Sequence, residues 1–356
     1  MLFTPGPTEM SLDIRQIGTQ ALPYFRSADY CAHVLELTER LKPLFGTRQT
    51  PLTITASGTG GMEMALVNLF NPGDAVLYVN GGTFGAKWGQ MARDLGLKAI
   101  EFAVPHGQDI PVQALLDAVT PEVRGVLLSG HETSTGQRFD LAPITKALAG
   151  GDCLSVVDGV SAIGCDPFDM DAWGVDCATA CSQKGLACMP GLVFVAFSER
   201  ALHRLRQTHH HRSYFDARVY LDNIGRGMLP FTPAMHAGFQ VSAMLERILR
   251  VGLDRHLAGI AERANGFRRY MREAGLPGFA QTPSNALSSL RLPAGVHATP
   301  LAQRMRERHD AILPLNPTKA EDFIRVSHMG EQTAEQLQQL GAWLIEEVTA
   351  LQRQSE

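Results

Sequence analysis

The chain has 356 residues, of which 45% are hydrophobic and 19% are charged, and its formal net charge is −4. This balance is that of an ordinary globular protein, and it lacks the basic excess that would predict binding to nucleic acid or to an anionic membrane. A chain of this length is expected to form two packed units.

The first two thirds of the chain alternate between helical and strand-like patterns. Apolar residues at helical spacing predict a helix over 27–45, which ends at Gly46. The predicted strands that follow are 52–56, 75–79, 97–102, 125–128, 154–157, 178–180 and 192–197, and the predicted helices between them are 62–69, 87–95, 112–119 and 141–148. Such alternation is typical of an α/β fold whose mainly parallel sheet is covered by helices on both faces.

The last third of the chain predicts a smaller α+β unit. Residues 234–273 have the apolar spacing of one or two long helices. Short strands are predicted at 286–290, 311–313 and 323–326, before a final helix over 333–351. We therefore predict a large domain over 17–255 and a small domain over 256–356, with the boundary inside a helix.

Three features predict a cytoplasmic protein. The six cysteines contain no CxxC pair and suit free thiols in a reducing compartment better than disulfides. The N-terminal ten residues lack the basic and apolar regions of a secretory signal. No apolar run approaches the roughly 20 residues that a membrane-spanning helix needs.

Segments whose residues could take part in binding or catalysis follow five of the predicted strands. They are Ser57-Gly58-Thr59-Gly60-Gly61, the Phe84-containing run 80–85, the run 131–136, Asp158-Gly159 and the turn that holds Lys184. Ligands of parallel α/β sheets bind in the crevice at the carboxyl ends of the strands. The glycine-rich segment could cradle a phosphate at a helix N-terminus, although a plain tight turn explains it equally well. Phe84 could stack on a ring or simply fill the core.

Asp158 and Lys184 are the two charged residues in the most apolar surroundings. A carboxylate at the end of a buried strand needs a cation or hydrogen-bond donors, and a protonated pyridine nitrogen would serve. Lys184 lies within ACSQKGLACMPG. It could reach solvent from a loop tip, or it could be a Schiff-base lysine, which requires a lowered pKa and a cofactor carbonyl.

Six motifs together resemble one family. TPGP, SGTGGMEMAL, HETSTG, VDGVSA, SQKG and IRVSHMG occur in order along essentially the whole chain. They resemble the class V, fold-type I pyridoxal-phosphate (PLP) aminotransferases, closest to the alanine/serine–glyoxylate/pyruvate branch, with 2-aminoethylphosphonate–pyruvate transaminases as near relatives. Asp158 and Lys184 are 26 positions apart, as that branch leads us to expect.

The resemblance implies an architecture and a set of cofactor contacts. The fold would be a large PLP-binding domain with a mainly parallel, seven-stranded-type sheet, a small C-terminal domain, and an N-terminal segment, 1–16, near the active site. Lys184 would form the Schiff base and move the proton, and Asp158 would pair with the pyridinium. The other cofactor-binding positions would be Ser57, Gly58, Thr59, Gly60 and Gln183 around the phosphate, and Phe84, Thr133 and Val160 around the ring.

The resemblance also implies substrate contacts and a shared site. Arg325 would clamp the substrate carboxylate, a task that suits its bidentate fork, although a surface arginine is the ordinary alternative. Gly6 would line the substrate site. Thr232 would reach the phosphate of a neighbouring subunit in a homodimer. The tyrosine that accompanies this threonine in the glyoxylate enzymes is Leu229 here.

The predicted function is ping-pong transamination from a small donor such as alanine or serine to glyoxylate or pyruvate. A 2-aminoethylphosphonate–pyruvate transaminase is the alternative. A PLP lyase or cysteine desulfurase is less favoured, because no cysteine follows Cys188 and Gln183 stands where desulfurases usually have histidine. A PLP-binding protein without turnover is disfavoured because Lys184, Asp158 and Arg325 are all present. A nicotinamide enzyme is disfavoured because no GxGxxG follows the first strand.

The run His209-His210-His211-Arg212 does not fit that scheme. Adjacent histidines rarely converge on one metal, so we predict a solvated loop and no metal. A weaker alternative is that Arg212 or the histidines help to select an acidic donor.

Overall fold

The apolar runs of the first 200 residues form a central seven-stranded sheet. The computed structural model describes residues 1–316 and 320–355. Its strands are β1 (Leu52–Thr55), β2 (Ala75–Asn80), β3 (Lys98–Ala103), β4 (Val123–Ser129), β5 (His131–Glu132), β6 (Gln137–Arg138), β7 (Leu154–Asp158), β8 (Cys177–Cys181), β9 (Leu192–Phe197), β10 (Leu287–Arg291) and β11 (Phe323–Ser327).

The central sheet is mainly parallel, as the alternating pattern predicts. Its strand order is β1-β9-β8-β7-β4-β2-β3. Strands β2, β3, β4, β7 and β8 pair in parallel, whereas β9 runs antiparallel to both of its neighbours. Six of the strands therefore point their carboxyl ends toward the same edge, where a common site can form.

Helices cover both faces of this sheet. In chain order, the helices are α1 (Leu12–Ile17), α2 (Ala28–Phe45), α3 (Gly58–Leu69), α4 (Thr83–Asp94), α5 (Val112–Asp117), α6 (Ala142–Leu148), α7 (Met170–Trp173), α8 (Glu199–Gln207), α9 (Ala217–Ile224), α10 (Met235–Val251), α11 (Leu253–Glu273), α12 (Ala298–His309) and α13 (Ala334–Ser355). The last three of them pack in the smaller unit described below. Within the described ranges, no helix is both long enough and apolar enough to cross a membrane.

The strands are apolar without alternation because both faces are buried. In β9, Phe194 and Ala196 join one core cluster, while Val193 and Val195 join the cluster on the opposite face. The prediction of a strand over 192–197 is confirmed for this reason.

Two predicted helices begin earlier than their apolar patterns indicate. The helices predicted over 62–69 and 87–95 start at Gly58 and Thr83. Their first turns consist of small and glycine-rich residues that carry no helical apolar period, so the sequence pattern misses them. The correction matters for the site, because it turns both segments from loops into helix N-termini.

A smaller α+β unit follows the sheet. Strands β10 and β11 pair antiparallel, and their apolar residues share a core with α11, α12 and α13. Residue 255, at the predicted domain boundary, lies in the first turn of α11, just after the break at Gly252, whose φ is +93°.

The prediction of a strand over 311–313 is wrong. Ile312 makes only an isolated bridge, and its partner is Leu2 of the N-terminal segment. Phe3 is fully buried in the core of the small unit, and its carbonyl accepts a hydrogen bond from the amide of Ser327. The apolar run at 311–313 is therefore buried by a partner about 310 positions away in sequence, which local periodicity does not reveal.

Trp88 attaches α4 to the sheet and gives the first test. It is fully buried, and its indole Nε1 donates a hydrogen bond to the Leu128 carbonyl at 3.1 Å. We expect Trp88→Ala to lower the free energy of unfolding by about 3–5 kcal/mol through the cavity. Trp88→Phe should cost less, with about 1 kcal/mol from the lost hydrogen bond. Denaturant unfolding measures both changes.

Trp343→Ala serves as a comparison, because Trp343 is only half-buried on α13. Its loss of stability should be smaller than that of Trp88→Ala. Equal losses for the two alanine variants would contradict the view that Trp88 is the better-packed residue.

Candidate active site

The N-terminus of α3 presents backbone donors at the carboxyl end of β1. Ser57 is the N-cap, and its side chain makes no capping hydrogen bond to the first turn. The first N–H groups of a helix have no partner within the helix, so an anion can bind them. A Cβ on Gly58 would lie 2.8 Å from a methyl of Val160, and one on Gly60 would lie 2.8 Å from Ala56. Both positions therefore require glycine, because a side chain there would collide with neighbouring protein atoms.

Glu132 holds the first turn of α4. It lies in β5, fully buried, and its carboxylate accepts hydrogen bonds from the amides of Phe84 at 3.1 Å and Gly85 at 3.0 Å. The hydroxyl of Ser134 donates to the same carboxylate at 2.5 Å. These bonds fix where Phe84 lies relative to the sheet edge. Phe84 itself is half-buried.

Asp158 is the last residue of β7, and it is buried by the surrounding protein. Its Oδ1 accepts the amide of Val160 at 2.9 Å, and this is the only hydrogen bond to its carboxylate within residues 1–316 and 320–355. Burial raises the pKa of Asp158 to about 6, against a smaller lowering by the Val160 amide. A carboxylate with so few donors suits a cationic ligand group.

Lys184 follows β8 and does not extend into solvent. Its Nζ donates to the carbonyl of Pro5 at 2.5 Å. A Cβ on Gly6, whose φ is +138°, would come within 2.7 Å of the lysine Nζ. Burial lowers the pKa of Lys184, partly opposed by Cys181 and Asp158. The reading of this residue as a solvent-seeking loop lysine is therefore wrong.

Arg325 lies on β11 and is 4% exposed, so it is not a surface arginine. Its Nε donates to Asn316 Oδ1 at 3.0 Å, Nη1 to the carbonyl of Thr133 at 2.9 Å, and Nη2 to the carbonyl of Leu315 at 2.5 Å. A guanidinium has five N–H groups, so one on each Nη stays free of these bonds and can bind a carboxylate. Burial lowers the pKa of Arg325 to about 10, which leaves it charged at neutral pH.

A short hydrogen-bond chain connects Arg325 with the segment after Asp158. The hydroxyl of Thr133, whose carbonyl binds Arg325, lies 2.6 Å from the hydroxyl of Ser161. Ser161 in turn uses its carbonyl to accept His131 Nδ1–H at 3.2 Å. Burial lowers the pKa of His131 to about 3, so its ring is neutral.

Thr232 and Leu229 lie apart from this group. Thr232 is exposed, and no hydrogen bond joins it to 57–60 in the described part of the chain. Leu229 is buried in an apolar cluster and takes no part in polar binding. Gln183 is half-buried beside Lys184.

Arg212 is held by protein groups, which gives no support to the weaker alternative that it helps to select an acidic donor. Its guanidinium is buried, with Nη1 donating to the carbonyl of Val67 at 3.2 Å and Nη2 to that of Thr208 at 3.0 Å. It also pairs with Asp216 at 3.5 Å. The neighbouring His209 and His211 are exposed, and the described residues contain no cluster of three potential metal ligands.

Three residues at the site have no role in the sequence-based scheme. Glu132 lies inside the HETSTG motif, but its role is evident only from the hydrogen bonds that it accepts from the amides of α4. Asn316 orients Arg325, and both of its amide protons are held by the carbonyls of Ala320 and Phe323. Lys87 of α4 donates to Thr59 Oγ1 at 3.3 Å. No local sequence signal identifies the last two.

Comparisons with known proteins agree on one family. The family profile described as "Aminotransferase class-V" matches residues 26–227. The L-aspartate–glyoxylate aminotransferase of Paracoccus denitrificans is 32% identical over 93% of this chain and 87% of that protein. The serine–glyoxylate aminotransferase of Hyphomicrobium methylovorum is 30% identical over 92% and 84%.

Solved structures show the same fold. An aspartate aminotransferase of subgroup IV from Thermus thermophilus is 28% identical and superposes with a TM-score of 0.91, covering 98% of this chain and 99% of that chain. The alanine–glyoxylate aminotransferase of Nostoc sp. is 25% identical with a TM-score of 0.92, covering 97% and 94%.

The pKa of Asp158 gives a test on the ligand-free protein. Its value of about 6 in the folded chain exceeds the ordinary 3.8, so the native state holds this proton more tightly than the unfolded chain. The free energy of unfolding should therefore fall by about 3 kcal/mol in all as the pH rises from well below 4 to well above 6. Asp158→Asn should remove this loss.

Denaturant unfolding at several pH values measures the effect. Above about pH 6, the ligand-free Asp158→Asn variant should be more stable than the parent, and the two should converge below about pH 4. A variant that is less stable at every pH would contradict the burial of an under-solvated carboxylate. Asp94→Asn, at an exposed end of α4, is the matched control.

Proposed function

The chain belongs to the class V aminotransferases, and we propose that it binds PLP at the strand-end site and transfers an amino group from a small amino acid to glyoxylate or pyruvate. The two relatives compared above are both named as aminotransferases that use glyoxylate. The observation that carries the assignment of this site is the continuous contact from Arg325 through Thr133 and Ser161 to the segment of Asp158. It joins a carboxylate clamp to a pyridinium partner.

The proposed cofactor contacts suit the chemistry of the residues present. The uncapped N-terminus of α3 would bind the phosphate through 57–60, together with Gln183. Asp158, whose carboxylate accepts only the Val160 amide within the described residues, would pair with the ring nitrogen and so keep the ring an electron sink. Phe84 and Val160 would lie on the ring faces, and Thr133 at its polar edge. The cofactor would supply the stabilisation of negative charge at the substrate Cα.

Lys184 would attack the cofactor carbonyl and later carry the proton between substrate and cofactor. Both tasks need a neutral amine, and burial lowers its pKa in that direction. The Pro5 carbonyl holds Nζ against the N-terminal segment, and the missing side chain at Gly6 leaves the space that the amine occupies.

Arg325 would bind the carboxylate of donor and acceptor alike. Its Nε bond to Asn316 and its bonds to the two carbonyls fix the plane of the guanidinium. The two remaining N–H groups would then meet both oxygens of one carboxylate. This explains why an α-amino acid and a 2-oxo acid can use the same place in alternate half-reactions.

We further propose a cytoplasmic homodimer with a shared site. Thr232 is exposed beside a surface that carries Tyr214 and Phe231, which stack at 4.6 Å and are both partly exposed. A second subunit would cover these rings and bring Thr232 to the neighbouring phosphate. The six free cysteines suit a reducing compartment.

A donor screen tests the function. Alanine, serine, aspartate, glutamate, cysteine and 2-aminoethylphosphonate are each added to the holoenzyme without acceptor, and the visible absorption of the lysine-bound cofactor is followed. We expect one small amino acid to abolish this absorption, and glyoxylate or pyruvate to restore it. Conversion by 2-aminoethylphosphonate alone would instead support the alternative donor.

Lys184→Ala and Lys146→Ala make a matched pair for this screen, because Lys146 is an exposed lysine of the same domain. The first variant should lose the lysine-bound absorption and all turnover, whereas the second should behave like the parent. Lys184→Ala with an unchanged spectrum would overturn the assignment.

Arg325→Lys tests the clamp. A lysine presents a point charge and cannot bind both carboxylate oxygens while holding the protein carbonyls. We expect kcat/KM for amino acid donors to fall about 10- to 100-fold, with cofactor affinity little changed. Arg291→Lys on the neighbouring β10, where the arginine is exposed, is the control. An unchanged KM for both half-reactions would contradict a role in carboxylate binding.

A further inference from the structure

A cofactor phosphate at the proposed place lacks a counter-charge among the predicted contacts. A phosphate monoester carries about −1.5 to −2 charges at neutral pH. The predicted contacts at 57–60 and Gln183 are all uncharged groups, and the helix N-terminus contributes only about half a positive charge. A partly buried anion with so little neutralisation is unfavourable, so a nearby cation is needed.

Lys87 is an ammonium at this place. Its Nζ donates to Thr59 Oγ1 at 3.3 Å, and it lies 5.3 Å from the centroid of the Phe84 ring. The side chain is half-buried between the N-terminal turns of α3 and α4. Lys87 takes part in none of the ion pairs found across residues 1–316 and 320–355.

The replacement at Leu229 strengthens the need for this cation. The resemblance places a phosphate-binding tyrosine there, but Leu229 is apolar and buried in a hydrophobic cluster. One expected donor to the phosphate is therefore missing in this chain. An ammonium that already touches Thr59 is in a position to replace it.

We propose that Lys87 binds the cofactor phosphate, together with Thr59 and the N-terminus of α3. The proposal rests on the proposed function, because it requires PLP at this site. In the ligand-bound protein, Nζ would shift its hydrogen bond from Thr59 Oγ1 toward a phosphate oxygen, while its contact with the Phe84 ring is kept. Lys87 would thus couple the phosphate to the helix that carries the stacking ring.

A purely structural role makes a different prediction. If Lys87 only packed against Phe84, its replacement would weaken the binding of PLP and of pyridoxal alike, since both present the same ring. A phosphate-binding role affects PLP alone. The comparison of these two ligands therefore separates the two explanations without any measurement of turnover.

The test is equilibrium titration of the apoenzyme with PLP and with pyridoxal, followed by the absorption of the bound ligand. Lys87→Gln should lower the affinity for PLP about 10- to 100-fold and leave the affinity for pyridoxal unchanged. Lys87→Arg should recover most of the PLP affinity, because it restores the charge. Lys98→Gln, at an exposed position of β3, is the control and should match the parent.

Competition by inorganic phosphate gives a second measurement. Phosphate should compete with PLP less well in Lys87→Gln than in the parent, and the salt dependence of PLP binding should be weaker in the variant. Circular dichroism of each variant confirms that it is folded, and Lys87→Met is a second uncharged variant should Lys87→Gln fail to fold.

The outcomes separate the two proposals. A parent protein that binds neither PLP nor pyridoxal would overturn the proposed function. A parent that binds PLP, with Lys87→Gln binding it equally well or losing both ligands in parallel, would overturn the role of Lys87 alone.

Discussion

The carboxylate of Glu132 is fully buried at the sheet edge and accepts the amides of Phe84 and Gly85. Charge-assisted hydrogen bonds of this kind are about twice as strong as neutral ones, and in a dry site their donors cannot turn to water. They fix α4 against β5, so the stacking ring and Lys87 are placed by the same carboxylate. The next residue, Thr133, then presents its carbonyl to Arg325, whose charge the nearby Glu132 favours.

The site is assembled from parts of the chain that are remote in sequence. Lys184 follows a strand of the central sheet, Arg325 lies in the small unit, and the carbonyl of Pro5 comes from the N-terminal segment. That segment is anchored because Phe3 is buried in the core of the small unit. The position of the Arg325 guanidinium therefore depends on how the small unit and the sheet edge meet, because Arg325 donates to the carbonyl of Thr133.

Local pattern predicts the elements that are governed by burial alone. Strand 192–197 is predicted to the residue because every position in it is buried, whereas α3 and α4 start earlier than expected. Glycine-rich first turns have no apolar period, and their function depends on bare N–H groups instead. The isolated bridge of Ile312 fails as a predicted strand because its partner, Leu2, lies at the other end of the chain.

By itself, the sequence determined the α/β class, the family resemblance and the identities of Lys184, Asp158 and Arg325, because motifs and apolar periods are local properties. Only the tertiary structure decided that Arg325 keeps one N–H on each Nη free of bonds to the described residues, and that Arg212 donates to backbone carbonyls. It also placed Lys87 against Thr59, 28 positions away. Hydrogen bonds and burial depend on which distant groups meet after folding, and no local spacing encodes those partners.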